Sequence, residues 1–249
     1  SRRIGLGITG LADALIMLGL HYGKAGARHK AEQIMQTVCH TAYLTSIELA
    51  TEKGSFPFFD RDRYLQSHFI DSLPGAIRRD IGKQGIRNSH LTAIAPTGTI
   101  SLLAGNVSSG IEPVFDFSYR RRVLNQSGEY EAFDVTDYAF RHWHHSKNQA
   151  LPACFIDARS LPPDAHLAMQ ASLQPYVDNA ISKTINVPED YTFENFRSLY
   201  GDAYRAGVKG CTTFRPVPVR EEILLSGERD REEKGTAGAH CCSIEREED

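Results

Sequence analysis

An apolar run at residues 91–95 stops at Pro96 and is followed by Thr97, Gly98, Thr99 and Ser101, residues suited to opening a helix. Proline cannot donate to a strand ladder, and small hydroxylated residues pair the orphan amides of a first helical turn. The pattern therefore predicts a strand, a tight turn and a helix in direct succession. Two readings of the turn stay open on spacing alone. It is an ordinary capped connection, or it is a seat for an anion, because amides and hydroxyls converge where the helix dipole favours negative charge. Gly98 in particular lets a ligand approach the backbone closely.

Other segments follow the same strand-then-helix logic. Gly5, Gly7 and Gly10 form a G-x-G-x-x-G pattern, with Leu11, Ala12, Leu15 and Ile16 beyond it at helical spacing and Gly19 placed as a stop. A dinucleotide fingerprint needs a strand before it and an acid about 20 residues on to hold the ribose. Here four residues precede Gly5, and residues 27–30 contain no acid. Nicotinamide binding is rejected, and the glycines are expected to let a strand and a helix pack closely. The periodicity of Ala31, Ile34, Met35, Val38, Ala42 and Ile47 predicts a long amphipathic helix over 27–53, ended by Gly54. Shorter helices are expected at 61–71 and 75–84.

Downstream, alternation through Phe115, Phe117 and Tyr119 predicts a strand ending in Arg120, Arg121 and Arg122. A helix is expected over 134–145, another from Pro163 with a further turn at 177–179, and a third capped by Thr192 and stopped by Gly207. Strands are expected at 181–187 and 210–214. His142, His144 and His145 invite a metal reading, but neighbouring helix positions point about 100° apart and no Cys or carboxylate completes a zinc spacing. The expectation is no metal. The alternation of strands and helices indicates an α/β fold around a largely parallel sheet.

With 28 basic against 31 acidic residues and a net charge of −3, nothing predicts bulk attraction to nucleic acid or to an anionic membrane. No apolar run approaches the roughly 20 residues that span a bilayer. Five cysteines without framework spacing fit a reducing cytoplasm. Residues 1–220 are expected to form the folded part and 221–249, rich in charge, a disordered tail. The chain opens without Met and with a strand under way, so a fragment is expected.

The run from Pro96 through Gly110, Ile111, Glu112 and Pro113 resembles the substrate-phosphate segment of ribonucleotide reductase large chains, most of all the adenosylcobalamin-dependent class. Stretches at 2–7, 53–57, 181–186 and 210–213 resemble the same family in the same order. Several ordered matches are more specific than any short motif. The resemblance implies the later part of a ten-stranded α/β barrel, incomplete in this chain. It implies reduction of ribonucleoside di- or triphosphates by thiyl-radical chemistry, with adenosylcobalamin as cofactor. It assigns Pro96, Thr97, Gly98, Thr99, Ile100 and Ser101 to substrate phosphate. The ten tyrosines include no adjacent pair of the kind that carries the radical in diiron-dependent chains, which favours the cobalamin class.

No Asn-x-Cys-x-Glu segment of the kind that carries the radical cysteine occurs here, so no catalytic residue is assigned; that loop and the redox cysteines are expected upstream. Cys241 and Cys242 are either the family's mobile thiol relay or two incidental tail thiols, because adjacent cysteines close only a strained ring. The implied partners are a ribonucleotide, nucleotide effectors bound upstream, and thioredoxin or a similar dithiol; a homodimer stays open. The alternative is a non-catalytic nucleotide-binding or interaction module derived from a reductase barrel.

Overall fold

In the computed structural model, residues 1–124, 128–146, 150–216 and 224–226 are described. Four extended segments run parallel in chain order. Leu6 bridges Thr92, Ile94 bridges Ile181, and β3 (Thr184–Asn186) pairs with β4 (Thr212–Phe214), all in parallel. The helices cross over between them. α1 (Leu11–Met17), α2 (Ala25–Lys53), α3 (Arg61–Leu65), α4 (His68–Asp71) and α5 (Gly75–Gln84) separate the first segment from the second. α6 (Gly98–Leu103), α7 (Tyr138–Ser146) and α8 (Pro163–Leu173) precede the third, and α9 (Phe193–Arg205) precedes the fourth. Among the described residues these segments do not close into a barrel.

The predicted α/β alternation is thus present, with local differences. Residues 91–95 pair only through single bridges, because the amides of Leu91 and Thr92 donate to the Asp178 carboxylate, at 2.7 and 3.0 Å, rather than to a ladder. The expected helix at 61–71 is two helices, interrupted where the Ser67 hydroxyl donates to the Tyr64 carbonyl. The turn expected at 177–179 is a 3-10 helix at Gln174–Tyr176. The arginines do not end a strand: they lie inside β1 (Ser118–Leu124), paired antiparallel with β2 (Tyr130–Thr136). Accordingly α7 begins four residues later than expected, at Tyr138, with the Asp137 carboxylate accepting from Phe140 N at 3.0 Å as its cap. Within the expected tail, β5 (Leu224–Ser226) pairs with β1. The rest of that tail, including Cys241 and Cys242, lies outside the described residues, as do the side chains of His144 and His145.

The N-terminal glycines serve a closer contact than the expected strand–helix one. A Cβ on Gly7 would lie 2.3 Å from the Ala93 carbonyl oxygen, so two backbones meet strand against strand there. Gly10, at φ 78°, turns the chain into α1. The core is continuous from α1 through α2 and α8 to the sheet, with Leu15, Ala31, Met35, Ile111, Met169 and Leu173 fully buried. A second cluster joins the C-terminal half of α2 to α5, through Cys39, Tyr43, Ile47, Ile77 and Ile81. Gly54, at φ 74°, ends α2 as expected, and Thr192 caps α9 by accepting from Asn195 N.

Candidate functional site

The turn 96–101 sits at the carboxyl end of the second parallel segment, the end at which open α/β sheets receive ligands. Thr97 holds the left-handed conformation, φ 55° and ψ 21°, which a β-branched residue rarely adopts. Its surroundings enforce it. Thr97 Oγ1 accepts from Gly110 N at 2.8 Å and lies 2.9 Å from Thr9 Oγ1, which is itself 3.1 Å from the Ser108 carbonyl. Backbone strain held by a surrounding network is a mark of functional turns.

The first bond of α6 runs from Ser101 N to the Thr97 carbonyl at 2.8 Å, which leaves the amides of Gly98, Thr99 and Ile100 ahead of it. These three residues are exposed, and a Cβ on Gly98 would meet nothing within 4 Å. The hydroxyls do not all converge with these amides. Ser101 is 4% exposed; its hydroxyl donates to the Gly98 carbonyl at 2.8 Å and lies 3.1 Å from Ser109 Oγ. Thr97 and Ser101 therefore build the turn from within. Pro96, Gly98, Thr99 and Ile100 form its outer surface.

Linked to the turn through residues 109–112 is a polar cluster, buried at Lys183 and His166 and partly exposed at Glu112, to which sequence reasoning assigned no role. Glu112 Oε2 is 2.5 Å from Lys183 Nζ and Oε1 accepts from Thr184 N at 2.6 Å. Lys183, 2% exposed, also donates to His166 Nδ1 at 3.0 Å and to its neighbour's carbonyl at 2.5 Å. His166 Nε2 lies 3.2 Å from the Ala158 carbonyl. With Nδ1 accepting and Nε2 donating, the ring is neutral; burial first and then the Lys183 cation hold its pKa down at about 3. Burial likewise pulls Lys183 below the usual lysine range against the opposing pull of Glu112. The available signal was a lysine inside an apolar strand pattern, a residue almost never buried unless paired.

A second cluster ties α1 and α7 to the loop after α6. Asp13 accepts from Ser108 N at 2.6 Å and from Ala139 N at 2.9 Å. Beside it, Asp137 is pushed up to about 7, by burial and then by the Asp13 carboxylate.

Two of the described thiols are held toward their neutral form. Cys39 is fully buried and its pKa is pushed up to about 12 by burial and then by Asp178, while burial also raises Cys211. Among the described residues no group of three or more His, Cys, Asp or Glu side chains could hold a metal ion. No described helix is long and apolar enough to cross a membrane.

Comparison with known proteins places this geometry in context. The chain is 33% identical over 244 residues to a vitamin B12-dependent ribonucleoside-diphosphate reductase of Mycobacterium tuberculosis, covering 91% of this chain and 33% of the relative. A protein of the same name from Thermoplasma acidophilum is 32% identical over 247 residues, covering 91% and 30%. A vitamin B12-dependent ribonucleotide reductase of Streptomyces clavuligerus is 25% identical over 288 residues, covering 95% and 30%. The chain thus spans about a third of the length of these relatives. Residues 1–214 match the family described as ribonucleotide reductase, barrel domain, and the chain belongs to that family.

Proposed function

We propose that this chain is a later barrel segment of an adenosylcobalamin-dependent ribonucleotide reductase, and that the turn 96–101 seats the substrate phosphates. The observation that carries the reading is the set of three first-turn amides, at Gly98, Thr99 and Ile100, exposed at the carboxyl end of the sheet. An anion there would take the hydrogen bonds that α6 itself cannot supply, and the uncovered backbone at Gly98 would let it approach. The Thr99 hydroxyl is a further donor on the same surface, while Thr97 and Ser101 hold the turn in shape.

Reduction then depends on a radical cysteine and a dithiol pair contributed by other segments, with thioredoxin or a similar dithiol as reductant in a cytoplasmic setting. Nucleotide effectors are assigned to upstream segments, and a homodimer would fit the same reading. Among the described residues none is assigned to the corrin. The groove of about 430 Å³ between Ile4, Leu6, Leu49 and Leu91 is lined also by Thr37, Thr41, Thr45, Ser46 and Asn88 and offers no imidazole, and His166 has both ring nitrogens engaged. The cofactor's contacts are therefore assigned elsewhere in the full-length protein. A non-catalytic nucleotide-binding module is the less favoured reading, because the relatives are named as reductases.

Gly98→Ala in the full-length reductase tests the phosphate seat. The added methyl has open space and Gly98 lies outside the left-handed region, so stability should change by less than about 0.5 kcal/mol. The KM for a ribonucleoside diphosphate should nevertheless rise about tenfold. An unchanged KM would count against this turn as the phosphate seat.

A further inference from the structure

We infer that Lys183, acting through Glu112, is a positioning residue for the phosphate turn: this ion pair, buried at Lys183 and a quarter exposed at Glu112, anchors the 109–112 loop to β3, and that loop holds Thr97 and Ser101 in place. The inference rests on the phosphate reading above. It follows a continuous set of contacts. The two carboxylate oxygens of Glu112 attach separately to β3, one to Lys183 Nζ and one to Thr184 N. Glu112 N closes a turn onto the Ser109 carbonyl at 2.8 Å. From that turn two contacts reach the phosphate helix: Gly110 N to Thr97 Oγ1 at 2.8 Å, and Ser109 Oγ to Ser101 Oγ at 3.1 Å.

The β3 end of this path is fixed. Lys183 has three donors and three acceptors for them, in Glu112, His166 and the Thr184 carbonyl. The loop between the two anchors is also closed from behind, where the Tyr22 hydroxyl donates to the Ile111 carbonyl at 2.5 Å. The strained left-handed Thr97 is thus held by a loop whose own position is set by an ion pair reaching it from β3.

Stability alone is a poor reason for such a pair. Taking the Lys183 cation fully and the Glu112 carboxylate mostly out of water offsets much of their attraction, so an apolar pair of similar volume folds about as well. What an apolar pair lacks is direction: methyl groups slide, whereas a carboxylate bonded at both oxygens sets the loop to one position. A shift of about 1 Å at a binding turn is enough to weaken a ligand's fit by one or two orders of magnitude.

The test uses the full-length reductase and steady-state reduction of a ribonucleoside diphosphate, with thermal unfolding measured in parallel. Lys183→Met and Glu112→Gln should each raise KM about tenfold while kcat changes by less than about threefold. Both should lower the unfolding temperature, because each leaves a buried group without its partner. The double variant Glu112→Met with Lys183→Met removes both charges and should regain the lost thermal stability while keeping the raised KM. A double variant with wild-type KM would overturn the inference and leave the pair a purely structural one, as would single variants with unchanged KM. If the single variants do not fold, the double variant decides alone. Gly98→Ala separates the two proposals. A raised KM there with no effect of the pair variants sinks only the positioning role, and no effect at Gly98 sinks the phosphate seat beneath it.

Discussion

The two ends of the segment at 91–95 are held by different chemistry. At the end remote from the turn, Asp178 accepts from Leu91 N, Thr92 N, the Tyr43 hydroxyl and Asn179 Nδ2, at 2.7 to 3.0 Å. Its own amide donates to the Thr92 hydroxyl, so the contact is reciprocal. Four neutral donors converge on one carboxylate, and none is a flexible cation. At the other end the segment opens into a left-handed threonine held by hydroxyl contacts and into three amides ahead of the first helical bond. The difference teaches where this domain places rigidity: the strand is clamped behind the site, and the site end keeps polar groups available outward. The groups that stiffen the site end, Glu112 with Lys183 and Asp13 with Asp137, act from below it.

That contrast can be broken most directly at Asp178. Asp178→Ala leaves two amides and a tyrosine hydroxyl without their acceptor, and should cost about 2–4 kcal/mol in denaturant unfolding of the full-length protein. The KM for the ribonucleotide should stay within about twofold of wild type, since the clamp lies at the far end. A large KM effect with little loss of stability would reverse the assignment of the two ends.

A smaller effect, tied to pH, is expected on the site side. The Asp137 carboxyl is raised from an ordinary value of 3.8 to about 7, so the folded protein retains a proton that the unfolded chain has released. The stability from this group is full below about pH 4 and is lost as pH rises through about 7. An asparagine at this position would mimic the protonated form, and Asp137→Asn should therefore match wild type near pH 4 and exceed it by about 1–2 kcal/mol at pH 8. Unfolding temperatures across that range give the result; parallel curves for the two proteins would exclude a retained proton at this position.

The smallest change sharpens the comparison at the turn itself. Thr9→Val keeps the shape but removes a hydroxyl within reach of Thr97 Oγ1, the Ser108 carbonyl and Gly110 N. A loss of about 1 kcal/mol is expected. The KM should rise, because Thr97 loses a partner that holds its orientation. If only stability falls, Thr9 supports the fold without shaping the seat.

Which features could be read in advance follows from the range of the forces involved. The long helix α2 and its stop at Gly54, the helix at 75–84 and the Thr192 cap all depend on contacts within one or two turns, and their residue patterns carried them. The hairpin of β1 and β2 did not show, because its exposed strand positions carry no clean alternation and its arginines read as a terminus. Asp134 likewise looked like a helix start, whereas it pairs across the hairpin with Arg120 at 3.2 Å and leaves capping to Asp137. The turn at 96–101 was legible as a turn, but not the inward direction of the Thr97 and Ser101 hydroxyls.

By itself the sequence determined the alternation of the parallel segments with their helices, the turn at Pro96 and the kinship that its long ordered matches express, since each of these is written in neighbouring residues. Tertiary structure alone decided that Glu112 meets Lys183 across 71 positions, that Asp178 replaces a strand ladder at Leu91 and Thr92, and that Gly7 lies against the Ala93 carbonyl. The physical reason is common to all three. A buried charge or an exposed amide edge selects its partner by what the folded chain brings within about 3 Å, and no local periodicity encodes that meeting.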